Sequence, residues 1–351
     1  MKKLALIFGG PSAEHDVSLV SAKNIFQVLK EMSDIDVFLV GVTRTGVWKL
    51  IAAQDLMNTS FSNVINLDEL GQVVKVILKN QEAYLSSSSS EHYGPLDVAF
   101  PIIHGTYGED GVLQRLLNEY KIKFVGTDSK ACQNSFDKAL TKKILNDQGI
   151  PQVPYLSFDE QPPAWQKVQD QLGLPLFVKP ANMGSSIGIS KVKNEEDYSK
   201  ALLEAQKHDA KVVVEKGVKA REIECALLES DELQVSGLGE VIPHHEFYSY
   251  EAKYLDANGA DIVIPANVDP EIAKKIQTMA KVCFKALGCR DYARADFFLD
   301  DNNNVFFNEI NTHPGFTSIS QFPMLWKQAG VTYPQLIKHL VHRALHRPES
   351  V

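Results

Sequence analysis

The chain has 351 residues, 44% of them apolar, and a formal net charge of −8 at pH 7. This length predicts more than one domain or subdomain, and the apolar share is that of an ordinary globular chain. The acidic balance argues against a general nucleic-acid binder, because a phosphate-binding surface needs a basic excess. The four cysteines form no CxxC pair, which favours a reducing cytosol over a disulfide framework or a zinc site.

The first segment of the chain alternates apolar runs with a helical pattern. Its opening run, KLALIFGG, is too short to span a membrane and leads to no small-residue cleavage site, so it predicts a first strand. A helix over Ser18–Lys30 follows, and then the strands IDVFLVGVT, LDVAFPIIHG and KIKFVGT. This rhythm predicts an α/β domain over residues 1–126, with an open parallel, Rossmann-like sheet and ligand groups at the strand carboxyl ends. The polar run Ser86–Glu91 predicts a mobile surface loop.

Two further units follow, over residues 127–217 and 218–351. The second unit is expected to hold one helix, Ser129–Gly149, a helix Glu195–His208, and the strands LPLFVKP, GISKV and KVVVEKG. The third contains REIECALL, an irregular stretch Glu240–Tyr254, a helix Pro270–Leu287, a strand hairpin, and a final helix Tyr333–Leu345.

The hairpin concentrates oxygen ligands. Asp296 lies in an alternating run, and a turn at Asp300–Asn304 leads to the strand VFFNEIN. Glu309 and Asn311 are spaced i, i+2 and share a face, and the hairpin would bring Asp296 beside them, with Arg294 on the same side. Hard oxygen ligands of this kind suit Mg²⁺ with substrate phosphates. The alternative is a solvated hairpin with a polar turn.

A glycine-rich loop, NMGSSIG over Asn182–Gly188, lies between two strand-like runs. Gly184 and Gly188 permit backbone conformations that other residues resist, and Ser185 and Ser186 add hydroxyl groups. Such a loop can fold over phosphates, although its spacing is neither the Walker nor the Rossmann pattern. A plain turn is the alternative.

Charged residues in apolar strands point to a nucleotide. Lys179 lies in FVKP, where an unpaired ammonium would be costly and a phosphate would offset that cost. Lys138 supplies a second positive charge. Glu215 and Lys216 follow VVV, where they would place an acceptor and a donor beside an adenine edge. Each of these residues taken singly is more often a solvated charge.

Two loops near the N-terminus carry further candidates. The loop GGPSAEHDVS opens a helix whose amides favour an anionic group, and its Glu14 could bind an ammonium. The alternative is ordinary N-capping by Ser12 or Asp16. His104, in PIIHGTYGEDG, is either a ligand contact or a structural histidine that holds the turn.

Taken together, these segments resemble the D-alanine–D-alanine ligases of the ATP-grasp superfamily, in their longer type. The resemblance covers nearly the whole chain in order and spacing, through GGPSAEHDVSLVSA, HGTYGEDG, FVKPANMGSSIGISKV, VVVEKGVKAREIE, YEAKY, ARADFF and NEINTHPGFTSIS. It implies an ATP-grasp fold with an N-terminal substrate domain, a central subdomain over 127–217, and a C-terminal subdomain over 218–351 that holds the metal and catalytic residues. It also implies a cytoplasmic enzyme of peptidoglycan precursor synthesis, a homodimer, with no nucleic-acid or membrane partner.

The resemblance implies roles for the matching residues. ATP phosphates would be contacted by Lys138, Lys179, Lys253 and the loop residue Ser186. Adenine would be held by Glu215, Lys216 and Val218, with Glu222 near the ribose. Two Mg²⁺ ions, with Mn²⁺ able to substitute, would be bound by Asp296, Glu309 and Asn311. The D-alanine substrates and the reaction centre would be served by Glu14, Ser185, Tyr254, His104, Arg294, the amide of Gly315, and Ser320. The sequence departs from the family pattern at Gly217, which would loosen the adenine pocket wall, and at His313.

The implied reaction follows from the chemistry of a carboxylate, which is a poor acyl donor. Phosphorylation by ATP gives an acyl phosphate, and the amine of the second amino acid then attacks it. Two other hypotheses stay open at this point. One is a related ligase that uses D-serine or D-lactate as the second substrate, and the other is a non-catalytic nucleotide-binding protein.

Overall fold

The structure is a computed structural model that describes residues 1–244 and 259–347. Its strands are β1 Lys2–Gly9, β2 Ile35–Val42, β3 Trp48–Leu50, β4 Gln72–Lys79, β5 Glu82–Ser87, β6 His92–Tyr93, β7 Val98–Ile102, β8 Lys123–Phe124, β9 Tyr155–Asp159, β10 Leu176–Pro180, β11 Ser190–Val192, β12 Lys211–Lys216, β13 Ala220–Glu229, β14 Leu233–Pro243, β15 Ala260–Val263, β16 Tyr292–Asp300 and β17 Val305–Asn311. Its helices are α1 His15–Leu29, α2 Ala53–Met57, α3 Val112–Glu119, α4 Ser129–Phe136, α5 Lys138–Asp147, α6 Trp165–Leu172, α7 Glu195–Gln206, α8 Pro270–Leu287, α9 Gln321–Gln328 and α10 Tyr333–Leu345.

The N-terminal part forms an eight-stranded sheet in the order β6-β5-β4-β3-β2-β1-β7-β8. Strand β1 lies between β2 and β7 and is parallel to both, and β7 is parallel to β8. Its continuous apolar run fits a strand that is buried on both faces. The predicted parallel sheet is therefore confirmed for these four strands. It is wrong for β3 to β6, which add antiparallel pairs.

The serine-rich run is only partly a loop. Ser86 and Ser87 end β5, and both are buried. Ser86 pairs with His92 of β6, so a short hairpin encloses the rest of the run. The loop prediction is wrong for these first two serines because cross-strand pairing outweighs their polar composition.

The second sheet is antiparallel, in the order β11-β10-β12-β9. One face packs against α6 and α7 through apolar side chains that include Val168, Leu176, Ala201 and Val212. The single helix expected over Ser129–Gly149 is instead two helices, α4 and α5. Asp137 separates them with extended dihedral angles, and its side chain accepts a hydrogen bond from the Leu140 amide at the start of α5.

The third sheet has the order β15-β14-β13-β16-β17. One face packs against α8 and α5 through apolar side chains that include Ile223, Phe297 and Phe284. Strand β14 continues to Pro243, so the irregular stretch expected from Glu240 is wrong for its first residues. The rest of that stretch, from residue 245 on, lies outside the described residues, and with it Lys253 and Tyr254.

The C-terminal helix α10 packs on the N-terminal sheet. Leu336 and Leu340 share one apolar core with Leu4 and Leu6 of β1, and Tyr292 and Phe316 belong to the same core. This core joins the third sheet to the N-terminal sheet, so the loops after β1, β7 and β17 come together. Within residues 1–244 and 259–347, no helix is long and apolar enough to cross a membrane.

Candidate active site

The face of the third sheet that points away from α8 carries a row of acidic side chains across three strands, of which Glu224 and Asp296 are buried. Glu224 of β13 pairs with Asp296 of β16, and Asp296 pairs with Glu309 of β17. Arg294 and Asn311 pair in the neighbouring row. Opposite residues of antiparallel strands point to the same face, so these five side chains share one face of the sheet, as predicted for four of them.

A register shift in the hairpin makes this arrangement possible. The pairing moves between Asp296 and Phe297, where Asp296 faces Glu309 but Phe297 faces Phe307. Phe307 and Ile310 both lie in the core under the sheet. Such a bulge reverses the alternation of side chains, so Glu309 faces away from the core although it is two residues from Phe307.

Arg294 is the fixed positive charge of this face. Its Nε donates to Oδ1 of Asp296 at 2.8 Å and its Nη2 to Oδ2 at 2.7 Å, and its Nε lies 3.4 Å from Glu224 Oε2. Burial alone would lower the pKa of Arg294, but the carboxylates of Asp296, Glu224 and Glu309 hold it well above the usual range. The guanidinium therefore stays charged and is held by a bidentate pair.

The donor set of this face suits a hard divalent cation in its chemistry. Asp296 and Glu309 offer carboxylates and Asn311 an amide oxygen, although Asn311 Oδ1 also accepts the His313 amide at 2.9 Å. A carboxylate has about four lone-pair sites, so Asp296 can hold Arg294 and still bind a cation. Among the described residues no three His, Cys, Asp or Glu side chains are placed to hold a metal.

A buried cluster of three charged residues joins the second sheet to α5. Glu215 Oε1 lies 2.8 Å from Nζ of Lys142, and its Oε2 lies 2.5 Å from Nζ of Lys179. Burial would raise the pKa of Glu215, but the two ammonium groups lower it to about 2. The expected contact of Lys179 with a phosphate stays a prediction; in the structure the pairing of β10 with β12 places Glu215 beside its ammonium.

Lys138 lies between the second and third sheets. Burial lowers its pKa, the carboxylate of Glu309 raises it, and the ammonium of Lys179 lowers it again. Its backbone N–H donates to Ala181 O at 3.0 Å, and its ammonium donates to Met183 O in the glycine-rich loop. Lys138 thus connects the acidic face of the hairpin with the lysines of the second sheet.

Glu14 is where three loops meet. It is the first residue before α1, it is buried, and its side chain makes no cap hydrogen bond to that helix. Its Oε2 lies 3.1 Å from where a Cβ on Gly105 would be and 3.6 Å from where one on Gly184 would be. The capping alternative does not describe this loop, since Ser12 Oγ accepts the Glu14 amide at 3.0 Å and Asp16 pairs with Arg44.

His104 is buried beside this junction. Its Nδ1 donates to the His313 carbonyl at 2.7 Å, and its Nε2 lies 3.3 Å from Ser21 Oγ. Burial lowers the pKa of His104, although the Glu14 carboxylate opposes this. Both ring nitrogens have protein partners, so the side chain holds the turn after β7 to the loop after β17.

The glycine-rich loop takes its unusual backbone at its serines. Ser185 and Ser186 have φ of 52° and 60°, Gly188 has φ of 70°, and Gly184 has no positive φ. Of the two glycines that would permit such a conformation, Gly188 adopts it and Gly184 does not. A non-glycine residue in the left-handed region costs roughly 1–2 kcal/mol, and such strain clusters at functional sites.

Gly315 and Ser320 lie side by side after β17. A Cβ on Gly315 would lie 2.5 Å from Ser320 Oγ. That hydroxyl accepts the Thr317 amide at 3.1 Å and lies 2.8 Å from Thr317 Oγ1. Nearby, burial and His104 lower the pKa of His313 to about 3, so its ring is neutral.

Comparison with known proteins decides the family. Residues 3–127 match the family described as D-ala D-ala ligase N-terminus, and residues 144–342 match D-ala D-ala ligase C-terminus. A D-alanine–D-alanine ligase of Oceanobacillus iheyensis is 42% identical, over 99% of this chain and 96% of that protein. The chain belongs to the D-alanine–D-alanine ligase family.

Solved structures of D-alanine ligases have the same fold. The D-alanine–D-alanine ligase of Coxiella burnetii aligns with a TM-score of 0.86 at 31% identity, over 98% of this chain and 94% of that one. The VanG D-Ala:D-Ser ligase of Enterococcus faecalis aligns with a TM-score of 0.85 at 33% identity, over 98% and 99%. The predicted α/β ATP-grasp fold and the ATP-dependent, ADP-forming ligase class are confirmed.

The remaining candidates lie around the second and third sheets of the ligase fold. Lys216 ends β12 and is exposed, Val218 follows it, and Glu222 lies on the same face of β13 as Glu224. Gly217 packs against Pro175, whose carbonyl would be 2.9 Å from an added Cβ. A side chain at this position would require Pro175 to shift, and the effect of Gly217 on the adenine pocket wall stays a prediction.

Three further charged residues lie close to these candidates, and the sequence patterns did not single them out. Glu224 repeats the i, i+2 spacing of Glu222, which was a usable signal. Lys142 follows Lys138 by one helical turn on α5, and only its burial shows that it faces Glu215. Burial, followed by the charge of Glu14, holds the pKa of Glu109 well above its usual range. No local pattern marks Glu109, since its neighbours come from distant loops.

Proposed function

We propose that this chain joins two D-alanines to D-alanyl-D-alanine, with ATP as the energy source and ADP and phosphate as the other products. The observation that carries this proposal is the position of Lys138, between the acidic hairpin face at Glu309 and the cluster of Lys179, Lys142 and Glu215. A polyphosphate between these groups would meet positive charge on one side and cation-binding oxygens on the other.

ATP would lie between the second and third sheets. Lys138 and Lys179 would contact its phosphates, together with Lys253, and Ser186 would close over them. For Lys179 this means exchanging Glu215 for a phosphate, or sharing its ammonium between the two. Adenine would be held by Glu215, Lys216 and Val218, and Glu222 would lie near the ribose.

The hairpin would hold two Mg²⁺ ions through Asp296, Glu309 and Asn311, and Mn²⁺ could take their place. When bound, these ions would neutralise charge on the phosphates. The protein's own contribution is Arg294. Its guanidinium is held by Asp296 at 2.8 and 2.7 Å and would stabilise the oxyanion formed when the amine attacks.

The first D-alanine would be bound through its ammonium by Glu14, next to Gly105 and Gly184. Its carboxylate oxygen would attack the γ-phosphorus, the bond from that phosphorus to the bridging oxygen would break, and the products of this step would be an acyl phosphate and ADP. Ser185 and Tyr254 would join Glu14 in closing the loops over this intermediate, which excludes water that would hydrolyse it. His104 would take part by holding its turn against the loop after β17.

The second D-alanine would bind where Gly315 and Ser320 meet, with its carboxylate on the Ser320 hydroxyl. Its amine would attack the acyl carbon, with the Gly315 amide and Arg294 facing the new oxyanion, and phosphate would leave. An amino group of the substrate must arrive uncharged for this step, so the dipeptide yield should rise towards alkaline pH.

The identity of the second substrate is a separate proposal. The similarity to a D-Ala:D-Ser ligase shows that the fold alone does not choose between second substrates. We propose D-alanine because Tyr254 is typical of dipeptide-forming members, whereas members that use D-lactate have a differently built loop. Excess D-lactate should therefore give little depsipeptide at neutral and alkaline pH.

We also propose the arrangement of this enzyme in the cell and along the chain. Residues 1–126 would form the substrate domain, 127–217 the central ATP-grasp subdomain, and 218–351 the subdomain with metal and catalytic residues. The enzyme would work in the cytoplasm as a homodimer, in peptidoglycan precursor synthesis.

The test is phosphate release from ATP and Mg²⁺ against a panel of D- and L-amino acids and D-hydroxy acids, with products identified by mass spectrometry. We expect release that depends on D-alanine and matches the dipeptide formed. Release that is the same without any amino acid, or a product containing D-serine or D-lactate in preference, would contradict the proposal.

A further inference from the structure

Both ends of the glycine-rich loop, residues 182–188, rest on the turn that joins α7 to β12. At the start, Asp209 Oδ2 accepts the backbone N–H of Asn182 at 2.8 Å and its side-chain N–H at 2.7 Å. At the end, a Cβ on Gly188 would lie 2.7 Å from Cδ2 of His208. Two consecutive residues therefore contact the two ends of the loop, Asp209 by hydrogen bonds and His208 by close packing.

The orientation of the Asp209 carboxylate is fixed by a second hydrogen bond, to β12. Its Oδ1 accepts the Lys211 amide at 2.9 Å, while the Lys211 carbonyl accepts the Ala181 amide at 2.9 Å. The ammonium of Lys211 lies 2.7 Å from Asp137 Oδ2, at the start of α5. The Asp209 carboxylate therefore links Lys211, the first residue of β12, to Asn182, the first residue of the loop, through charge-assisted hydrogen bonds.

The body of the loop has its own turn. The Ile187 amide donates to the Gly184 carbonyl at 3.1 Å, and Ser185 and Ser186 hold positive φ. Because this internal hydrogen bond holds the body of the loop together, the body can move as a unit. The change in backbone angles is then confined to the two ends of the loop.

We propose that Asp209 is a positioning residue for nucleotide binding. Through Asn182 it sets the direction in which the loop leaves β10, so that Ser185 and Ser186 close over the phosphates of ATP. This inference rests on the proposed function for the identity of the nucleotide. Asp209 touches neither the nucleotide nor the reacting atoms, and its effect passes through Asn182.

The experiment compares Asp209→Ala, which removes all three acceptor contacts, with Asp209→Asn, which keeps the shape and one acceptor oxygen. Asp170→Ala is the matched control, since Asp170 lies on α6 of the same unit and accepts from Gln166. We expect Asp209→Ala to raise the KM for ATP about tenfold, as for the loss of one charge-assisted hydrogen bond. Asp209→Asn should give a smaller rise, and Asp170→Ala none.

Three readouts separate positioning from a general loss of structure. In Asp209→Ala the KM for D-alanine should stay within about twofold of wild type, and the phosphate released per dipeptide should rise, because a loop that closes poorly admits water. Asn182→Ala combined with Asp209→Ala should be no worse than Asp209→Ala alone.

An unchanged KM for ATP in both Asp209 variants would overturn the inference, and so would additive effects of the Asn182 and Asp209 substitutions. Should Asp209→Ala fail to fold, the comparison of Asp209→Asn with wild type decides. The affinity of each variant for a non-hydrolysable ATP analogue is also measured, by calorimetry. This affinity decides the role of Asp209 even if the wild-type enzyme forms no dipeptide, a result that would refute the proposed function.

Discussion

Replacing Lys142 by methionine should destabilise the fold in a way that depends on pH. Lys142 is only 3% exposed at its side chain and lies 2.8 Å from Glu215 Oε1. Methionine keeps most of the length of the side chain and removes the charge. The carboxylate of Glu215 would then have Lys179 as its remaining cationic partner, at 2.5 Å.

The magnitude follows from the pKa of Glu215. The charges of Lys142 and Lys179 overcome burial and lower this pKa from 4.5 to about 2. A depression of this size stabilises the folded state by about 3 kcal/mol at neutral pH, by linkage. Because burial acts in the opposite direction, the two ammonium groups together supply more than this net figure. If Lys142 supplies half of their contribution, its loss costs at least roughly 1.5–2 kcal/mol, or at least about 3–7 °C in Tm for a cooperative unit of about 200 residues.

The sign of the pH dependence is fixed by the same numbers. The folded pKa of Glu215 is below its unfolded value, so its stabilisation is fully present above pH 4.5 and is lost as pH falls through about 2. The difference in unfolding free energy between wild type and Lys142→Met should therefore be largest at neutral pH and shrink in acid.

Urea unfolding followed by circular dichroism at neutral and acid pH measures this difference. Lys143→Met is the control, because Lys143 is the exposed neighbour on the same helix. The reasoning is refuted if Lys142→Met unfolds at the wild-type urea concentration at pH 7, or if its deficit is the same at both pH values.

Further substitutions test the hairpin and the loop after it. Glu309→Gln should abolish turnover while circular dichroism shows an intact fold, and near-normal phosphate release by the folded variant would remove Glu309 from the metal site. Arg294→Ala should lower kcat more than it raises the KM for ATP, because its charge acts on the transition state; a change in the KM for ATP alone would make it a nucleotide-binding residue. Gly315→Ala places a methyl group 2.5 Å from Ser320 Oγ and should raise the KM for the second D-alanine about tenfold. Adding Ser320→Gly should not restore that KM, because the hydroxyl is lost as well; recovery to the wild-type value would show that Ser320 does not bind the carboxylate.

Local sequence patterns predicted much of the hairpin but not its neighbours. The two-residue period placed Glu309 and Asn311 on one face, and the turn brought Asp296 opposite. The bulge that keeps Phe307 in the core while Glu309 faces away leaves no local pattern. Glu224 joins the row only through the pairing of β13 with β16, two strands that are distant in the chain.

The charged residues of the second sheet show the same limit. Lys179 was correctly predicted to need a negative partner, because an ammonium in an apolar strand is costly to bury. The partner in the structure is Glu215, and that pairing depends on the register of β10 against β12. The antiparallel strands β3 to β6 were missed for a related reason. β3 and β6 have only three and two residues, and β4 and β5 join the sheet only through β3, which pairs with β2.

The central claim is that the carboxylate of one D-alanine takes the γ-phosphoryl group of ATP before the second D-alanine attacks. D-Alanine labelled with ¹⁸O in its carboxylate tests this directly, with released phosphate and dipeptide analysed by mass spectrometry. The account predicts one ¹⁸O atom in each phosphate, because the bridging oxygen leaves with it, in step with the dipeptide formed. Phosphate that carries no label, with or without dipeptide, would contradict the account.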